Sequence, residues 1–185
     1  MATFAEVVEG VRDYITNPSR DAAIRREVNN TLRYFSRTGS YTRDLREVLV
    51  SDLGGDRVVD VPLSEFPRYR NLKWVRNRAA SELFTLIDPA SMGAECPGSY
   101  YVAGNLVRCK GRAPIHELQV GYYALPPTLY PGAPETYWML DVIPDAVIQY
   151  TVAVMQGILG DQQAQRTSQA IALVGLETLR RYQDG

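Results

Sequence analysis

Few residues in this chain could do bond-making chemistry. His116 is the single histidine, and the two cysteines, Cys96 and Cys109, have neither CxxC spacing nor an accompanying Cys/His pair. A zinc-type ligand set and an activated thiolate are therefore not expected. His116 beside Glu117, close to Cys109 across an expected hairpin, could form a proton relay; the alternative is a strand histidine at a surface or interface. Paired carboxylates occur at Asp52 with Asp56 and at Asp141 with Asp145. Each lies at an element edge, where capping or turn formation accounts for an aspartate. The sequence has no GxSxG elbow, HExxH pair, Walker loop or GxGxxG after a strand. The expectation is a non-enzymatic protein with no catalytic residue, no metal and no cofactor.

The sharpest charged feature is Arg68, Arg70, Lys73, Arg76 and Arg78, five cations within eleven residues and no acid from Phe66 to Ser81. Tyr69 and Trp74 interleave with them. Such a strip could follow a nucleic-acid backbone, with phosphates on the cations and bases on the aromatic faces. It could equally be a solvated face or a salt-bridge strip between subunits. The formal net charge of −1 predicts no general attraction to DNA or to an anionic membrane, so any nucleic-acid role must be local. Arginine outnumbers lysine 18 to 2, which fits a GC-rich genome or persistent bidentate contacts between subunits.

The elements that must position these residues follow from periodicity. Phe4, Val7, Val8, Val11, Tyr14 and Ile15 fall on one helical face, with Thr3 and Glu6 at capping-box spacing. Asn17-Pro18 stops that helix. Ser19 is placed to cap a second one, striped by Ile24, Val28, Leu32 and Phe35 and ended by Gly39. From Tyr41 the pattern shortens: Leu45–Val50 and Val58–Val61 read as the strands of a hairpin, Leu72–Val75 as another strand, and Asp88-Pro89 as a helical turn. Tyr100–Ala103 and Leu106–Cys109 flank Gly104-Asn105, a two-residue hairpin loop, and a strand from Leu118 to Leu125 follows. Helix returns at Pro144, breaks at Gly160 and resumes at Asp161 to about Tyr182. The expected fold is α+β in a single domain, 1–185. A helical bundle built from 1–40 and 143–183 carries a β-rich insertion of hairpins at 41–130.

Ala146 to Gly160 carries no charge, and Ala170 to Leu176 is apolar all round a helix. One bundle contact cannot cover every such face, so central burial and a subunit interface are the two readings. The interface candidates are Val147, Tyr150, Val154 and Ile158 on the penultimate helix and Ile171 and Val174 on the last. Charge divides along the chain, with 17 basic and 14 acidic residues in 1–115 against 3 and 7 in 116–185. Head-to-tail neighbours could use that asymmetry. No charged n-region with an apolar h-region opens the chain, and the 15-residue uncharged stretch is too short to span a bilayer, so a soluble protein is expected; the two cysteines make no disulfide framework, which fits a reducing, cytoplasmic origin.

Several phrases resemble the head-to-tail adaptor family of tailed bacteriophages, also described as head-completion or tail tubular protein A-like proteins. They are Tyr34-Phe35-Ser36, LKWVR at Leu72–Arg76, SYYVAGNLVR at Ser99–Arg108, GYYALPP at Gly121–Pro127, and the segment YWMLDVIPDAVIQYTVAVMQGILGDQQAQ from Tyr137. The resemblance spans nearly the whole chain, and none of its phrases is a catalytic signature. It implies a ring, usually of twelve copies, beneath the portal protein, located in the virion neck after assembly in the host bacterial cytoplasm. DNA would pass through the lumen without being read, tail proteins would dock on the distal side, and no membrane would be involved. The five cations from Arg68 to Arg78 would then line the channel or the subunit edges.

Overall fold

The structure, a computed structural model, describes residues 2–15, 18–88, 90, 96–132 and 136–183. Two compact units divide the chain: Met1–Asp44 with Pro126–Gly185, and Leu45–Leu125.

The first unit is helical. Its elements are α1 (Phe4–Arg12), α2 (Asp21–Arg37), a short α3 (Met139–Val142), α4 (Pro144–Leu159) and α5 (Gln162–Leu179). The capping box forms at α1, where the Thr3 hydroxyl accepts from the Glu6 amide and the Glu6 carboxylate accepts from the Thr3 amide. Ser19 does not cap α2. It lies in a 3-10 turn, Pro18–Arg20, and Asp21 places the negative charge in the first turn instead. Pro144 opens α4, and Gly160 ends it in the left-handed conformation, φ +83°. Asp161 caps α5 by accepting from the Ala164 amide. The apolar stripes converge on one core that includes Val7, Val11, Ile24, Val28, Leu32, Phe35, Met139, Val147, Val152 and Met155. Gly175 allows α5 close to α4, since a Cβ there would meet the Ala146 Cβ at 2.4 Å.

The second unit is a seven-stranded mixed sheet: β1 (Leu45–Val50), β2 (Val58–Pro62), β3 (Tyr69–Asn77), β4 (Glu82–Leu86), β5 (Ser99–Ala103), β6 (Leu106–Lys110) and β7 (Leu118–Ala124). Their order is β1-β7-β3-β4-β5-β6-β2, curled as half of a barrel. Phe66, Val75, Phe84, Tyr100, Val107, Ile115, Leu118, Val120 and Tyr122 fill its inner side. Alternation along β7 therefore sends Leu118, Val120 and Tyr122 into that core and Gln119, Gly121 and Tyr123 to the other face, where Gly121 and Tyr123 are buried as well.

This corrects the expectation of a helical bundle carrying a β-rich insertion of hairpins at 41–130. Among the described residues helix accounts for 44% and strand for 26%, and the strands close a core of their own. β1 and β2, expected to pair as a hairpin, lie at opposite edges of the sheet. β1 pairs with β7, and β2 with β6, all antiparallel. β4, which periodicity did not reveal, joins the halves by pairing antiparallel with β3 and parallel with β5. β5 and β6 do form the hairpin around Gly104, φ +59°. The helical turn expected at Asp88-Pro89 falls partly outside the described residues.

Candidate functional site

Two surfaces gather the residues singled out by sequence, one on each unit. On the sheet, β3 carries the cations. Its pairing with β7 slips twice, between Tyr69 and Asn71 and between Leu72 and Trp74, so that Arg70 and Lys73 are the extra residues of two bulges. Without the slips, strict alternation would put Arg70 and Lys73 on opposite faces. With them, both cations lie over the ring of Tyr123, itself only 3% exposed, at 5.2 Å for the Arg70 guanidinium and 5.9 Å for the Lys73 ammonium.

Next along the same face lies Trp74, whose indole covers Gly121. A Cβ on Gly121 would come within 2.4 Å of Trp74 Nε1. The glycine is thus a notch in which a large ring lies flat against the sheet. Arg76, exposed, reaches Trp74 with its guanidinium 5.9 Å from the ring centroid. Arg70 is half-buried, its Nε donates to Asn71 Oδ1 at 2.9 Å, and its buried Nη1 makes no hydrogen bond. The structure therefore brings Arg70, Lys73 and Arg76 together around two aromatic faces. It leaves the other two cations at the ends of the strip. Arg68 is exposed before β3 at φ +58°, and Arg78 follows β3 and pairs with Glu117 at 3.5 Å.

The candidates on the helical unit divide by burial. Val147 is fully buried, and Val154 is half-buried. Tyr150 is half-buried and stacks on Tyr34 at 5.0 Å. Burial, followed by its hydrogen bond with Tyr34, raises the Tyr150 hydroxyl above its ordinary pKa. Ile158, Ile171 and Val174, in contrast, are exposed by 62%, 52% and 72%, and Leu159 and Leu173 are exposed beside them. The α4–α5 hairpin thus keeps one apolar side in the core and turns another to solvent.

The relay considered from sequence is not assembled. Cys109 lies in the enclosed sheet core, where burial pushes its thiol up to about 12, so it stays protonated and unreactive. His116 is exposed and rests over Gly55, whose Cβ, if present, would meet the imidazole at 2.4 Å. Asp52 adopts φ +61° in the turn after β1, and Asp141 and Asp145 are exposed in or beside first helical turns. Among the described residues, no three His, Cys, Asp or Glu side chains are grouped to hold a metal ion, and no helix is long and apolar enough to cross a membrane.

Sequence reasoning missed the polar clasps of the helical unit. Asp44, 3% exposed, accepts hydrogen bonds from the Tyr137 hydroxyl at 2.9 and 3.1 Å and from Trp138 Nε1 at 2.8 Å. Asn29 donates to the Leu129 and Arg25 carbonyls, each at 2.9 Å, and accepts from the Leu129 amide at 2.7 Å. One signal was available. Tyr137 and Trp138 each carry a polar handle that needs a partner when the ring is buried. No protein-family model matches this chain, and no curated protein matches it.

Proposed function

We propose that this chain is a structural subunit of the head-to-tail adaptor kind that its sequence resembles. It assembles as a ring beneath the portal of a tailed phage, extends the DNA channel and offers a seat to tail proteins. The observation that carries the reading is the apolar surface of the α4–α5 hairpin, where Ile158, Leu159, Ile171, Leu173 and Val174 remain in solvent. Large apolar side chains left in solvent on one helical hairpin mark an interaction surface. The cations around Trp74 and Tyr123 suit passing phosphates: they are held by ring faces and carry no base-reading geometry.

Sedimentation of the purified chain, alone and with portal protein, tests this. A ring-sized species that forms with portal is expected, and Ile158→Asp should prevent it while circular dichroism stays unchanged. A monomer under both conditions overturns the reading. A second reading, a nucleic-acid-binding module, is favoured by the cation cluster beside the Trp74 plate. It requires that the free chain bind DNA with steep salt dependence, log K falling by about 0.9 per phosphate contact for each tenfold rise in salt on duplex DNA. Arg76→Glu should then weaken binding to all sequences alike.

A further inference from the structure

α5 has two stripes. Ser168, Ala172, Gly175 and Leu179 recur at four- and three-residue spacing on the side that packs toward α4: Ser168 donates to Gln156, Gly175 meets Ala146, and Ala172 and Leu179 are buried. Arg166, Ala170, Leu173 and Glu177 recur at the same spacing on the opposite side, and all four are exposed. This second stripe has the four-three-four spacing of a coiled-coil seam. Arg166 and Glu177 are also the only charged residues between Gln162 and Leu179, and neither makes an ion pair among the described residues.

The order of those residues is self-complementary. We infer that α5 pairs with α5 of a second copy, antiparallel, about a two-fold axis passing between Ile171 and Ala172. In that register Arg166 meets the second copy's Glu177 at both ends. Ala170, small, lies opposite the second copy's Leu173, large, so the centre interdigitates. A parallel pair would set Arg166 against Arg166 and Glu177 against Glu177, so charge selects the antiparallel arrangement. The contact is isologous and closes at two copies. Its symmetry differs from that of the head-to-tail contact of a ring, and although it shares Leu173 with the apolar surface named above it does not rest on the adaptor reading. A single helix pair falls short of a standard interface area, so the dimer is weak and concentration-dependent.

Analytical ultracentrifugation of the full chain over a range of concentrations tests the pairing, with circular dichroism to show that each variant is folded. The wild type is expected to move from monomer to dimer. Leu173→Asp should remain monomeric. Arg166→Glu and Glu177→Arg should each weaken the dimer about tenfold by creating like-charge contacts, more at low salt than at high. The double variant Arg166→Glu with Glu177→Arg should restore it. A monomer at every concentration, a dimer indifferent to the single charge changes, or failure of the double variant to recover overturns the inference. A ring seen only with portal bears on the adaptor reading and leaves these outcomes separable.

Discussion

In the helical unit the interior holds polar side chains with long-range partners, whereas the interior of the sheet is almost wholly apolar and the long-range bonds belong to the backbone. Asn29 binds Leu129 across 100 positions, Asp44 binds Tyr137 across 93, and the Thr31 and Thr151 hydroxyls meet at 3.0 Å across 120. In the sheet, the equivalent ties are ladders such as Leu45–Val50 on Leu118–Tyr123. The difference has a physical origin. Helices satisfy their amides locally, within four residues, so their own ladders do not join the first 44 residues to those after 126, and the backbone adds only the short antiparallel bridge of Tyr41 with Gln183 among the described residues. Strands satisfy theirs only by pairing, and that pairing is itself the tie between distant segments. A unit made of two separate chain segments and built almost wholly of helices therefore relies mainly on side chains for this purpose.

The most severe test of that contrast is Asp44→Ala. It leaves the Tyr137 hydroxyl and Trp138 indole N–H without their buried acceptor and should cost about 3 kcal/mol or more, since hydrogen bonds to a charged group are the strong ones. Thermal unfolding followed by tryptophan fluorescence reads it. Asn29→Ala should cost somewhat less, about 2 kcal/mol, because the Leu129 amide and carbonyl lose neutral partners. The sheet counterpart is Asn77, fully buried, which donates to the Pro114 carbonyl at 3.0 Å but whose Oδ1 has no partner. Asn77→Val loses one hydrogen bond and removes one unsatisfied oxygen, so its cost should be much smaller. If Asn77→Val destabilised as much as Asp44→Ala, the contrast between the two units would fail.

A change at the notch under Trp74 should have an intermediate effect. Gly121→Ala adds a methyl where the indole lies, and the ring must swing away from the sheet. Loss of that packing should cost about 1–2 kcal/mol, partly offset by the lower entropy of alanine in the unfolded chain. In a Trp138→Phe background the emission of Trp74 should shift to the red. An unshifted spectrum would show that the indole is held by something other than the flat backbone at Gly121.

These sites also show what the sequence made legible. Helix positions could be read because apolar spacing, Thr3 with Glu6, Pro144 and Gly160 are local signals, each acting within a turn of the residue it governs. Strand partners could not. Leu45–Val50 and Val58–Val61 are adjacent in sequence with turn residues between them, the usual mark of a hairpin, yet each finds its ladder 44 to 78 positions away. The hydrophobic pattern records which side of a strand is buried and is silent on its neighbour. The cation strip was visible as composition. Its grouping on one face was not, because two bulges break the alternation on which a facing argument depends. Asp44 gave no local sign at all, being one acid in a short polar turn whose partners lie more than ninety residues away.

The smallest effect belongs to the surface of the sheet, where Arg108 on β6 faces Asp60 on β2. Two nearly parallel bonds join them, Arg108 Nε to Asp60 Oδ1 at 2.7 Å and Nη2 to Oδ2 at 2.6 Å. That hydrogen bonding holds the Asp60 carboxyl below its ordinary value of 3.8. The sign follows from linkage: a carboxylate whose pKa is lower in the folded state contributes stability that is fully present above the unfolded value and is lost as pH falls through the folded one. Wild type should therefore lose stability relative to Asp60→Asn as the pH drops below about 4, and the two should differ by a constant amount from pH 5 to 7. Both side chains are more than a third exposed, so solvent and salt screen the pair, and the difference should be a small fraction of that at Asp44. Urea titrations at pH 3 and pH 6, each with and without added salt, measure it. A pair that tied the sheet as Asp44 ties the helices would show a large, salt-insensitive loss at pH 6. That result would mean that side chains as well as ladders hold β2 to its neighbour.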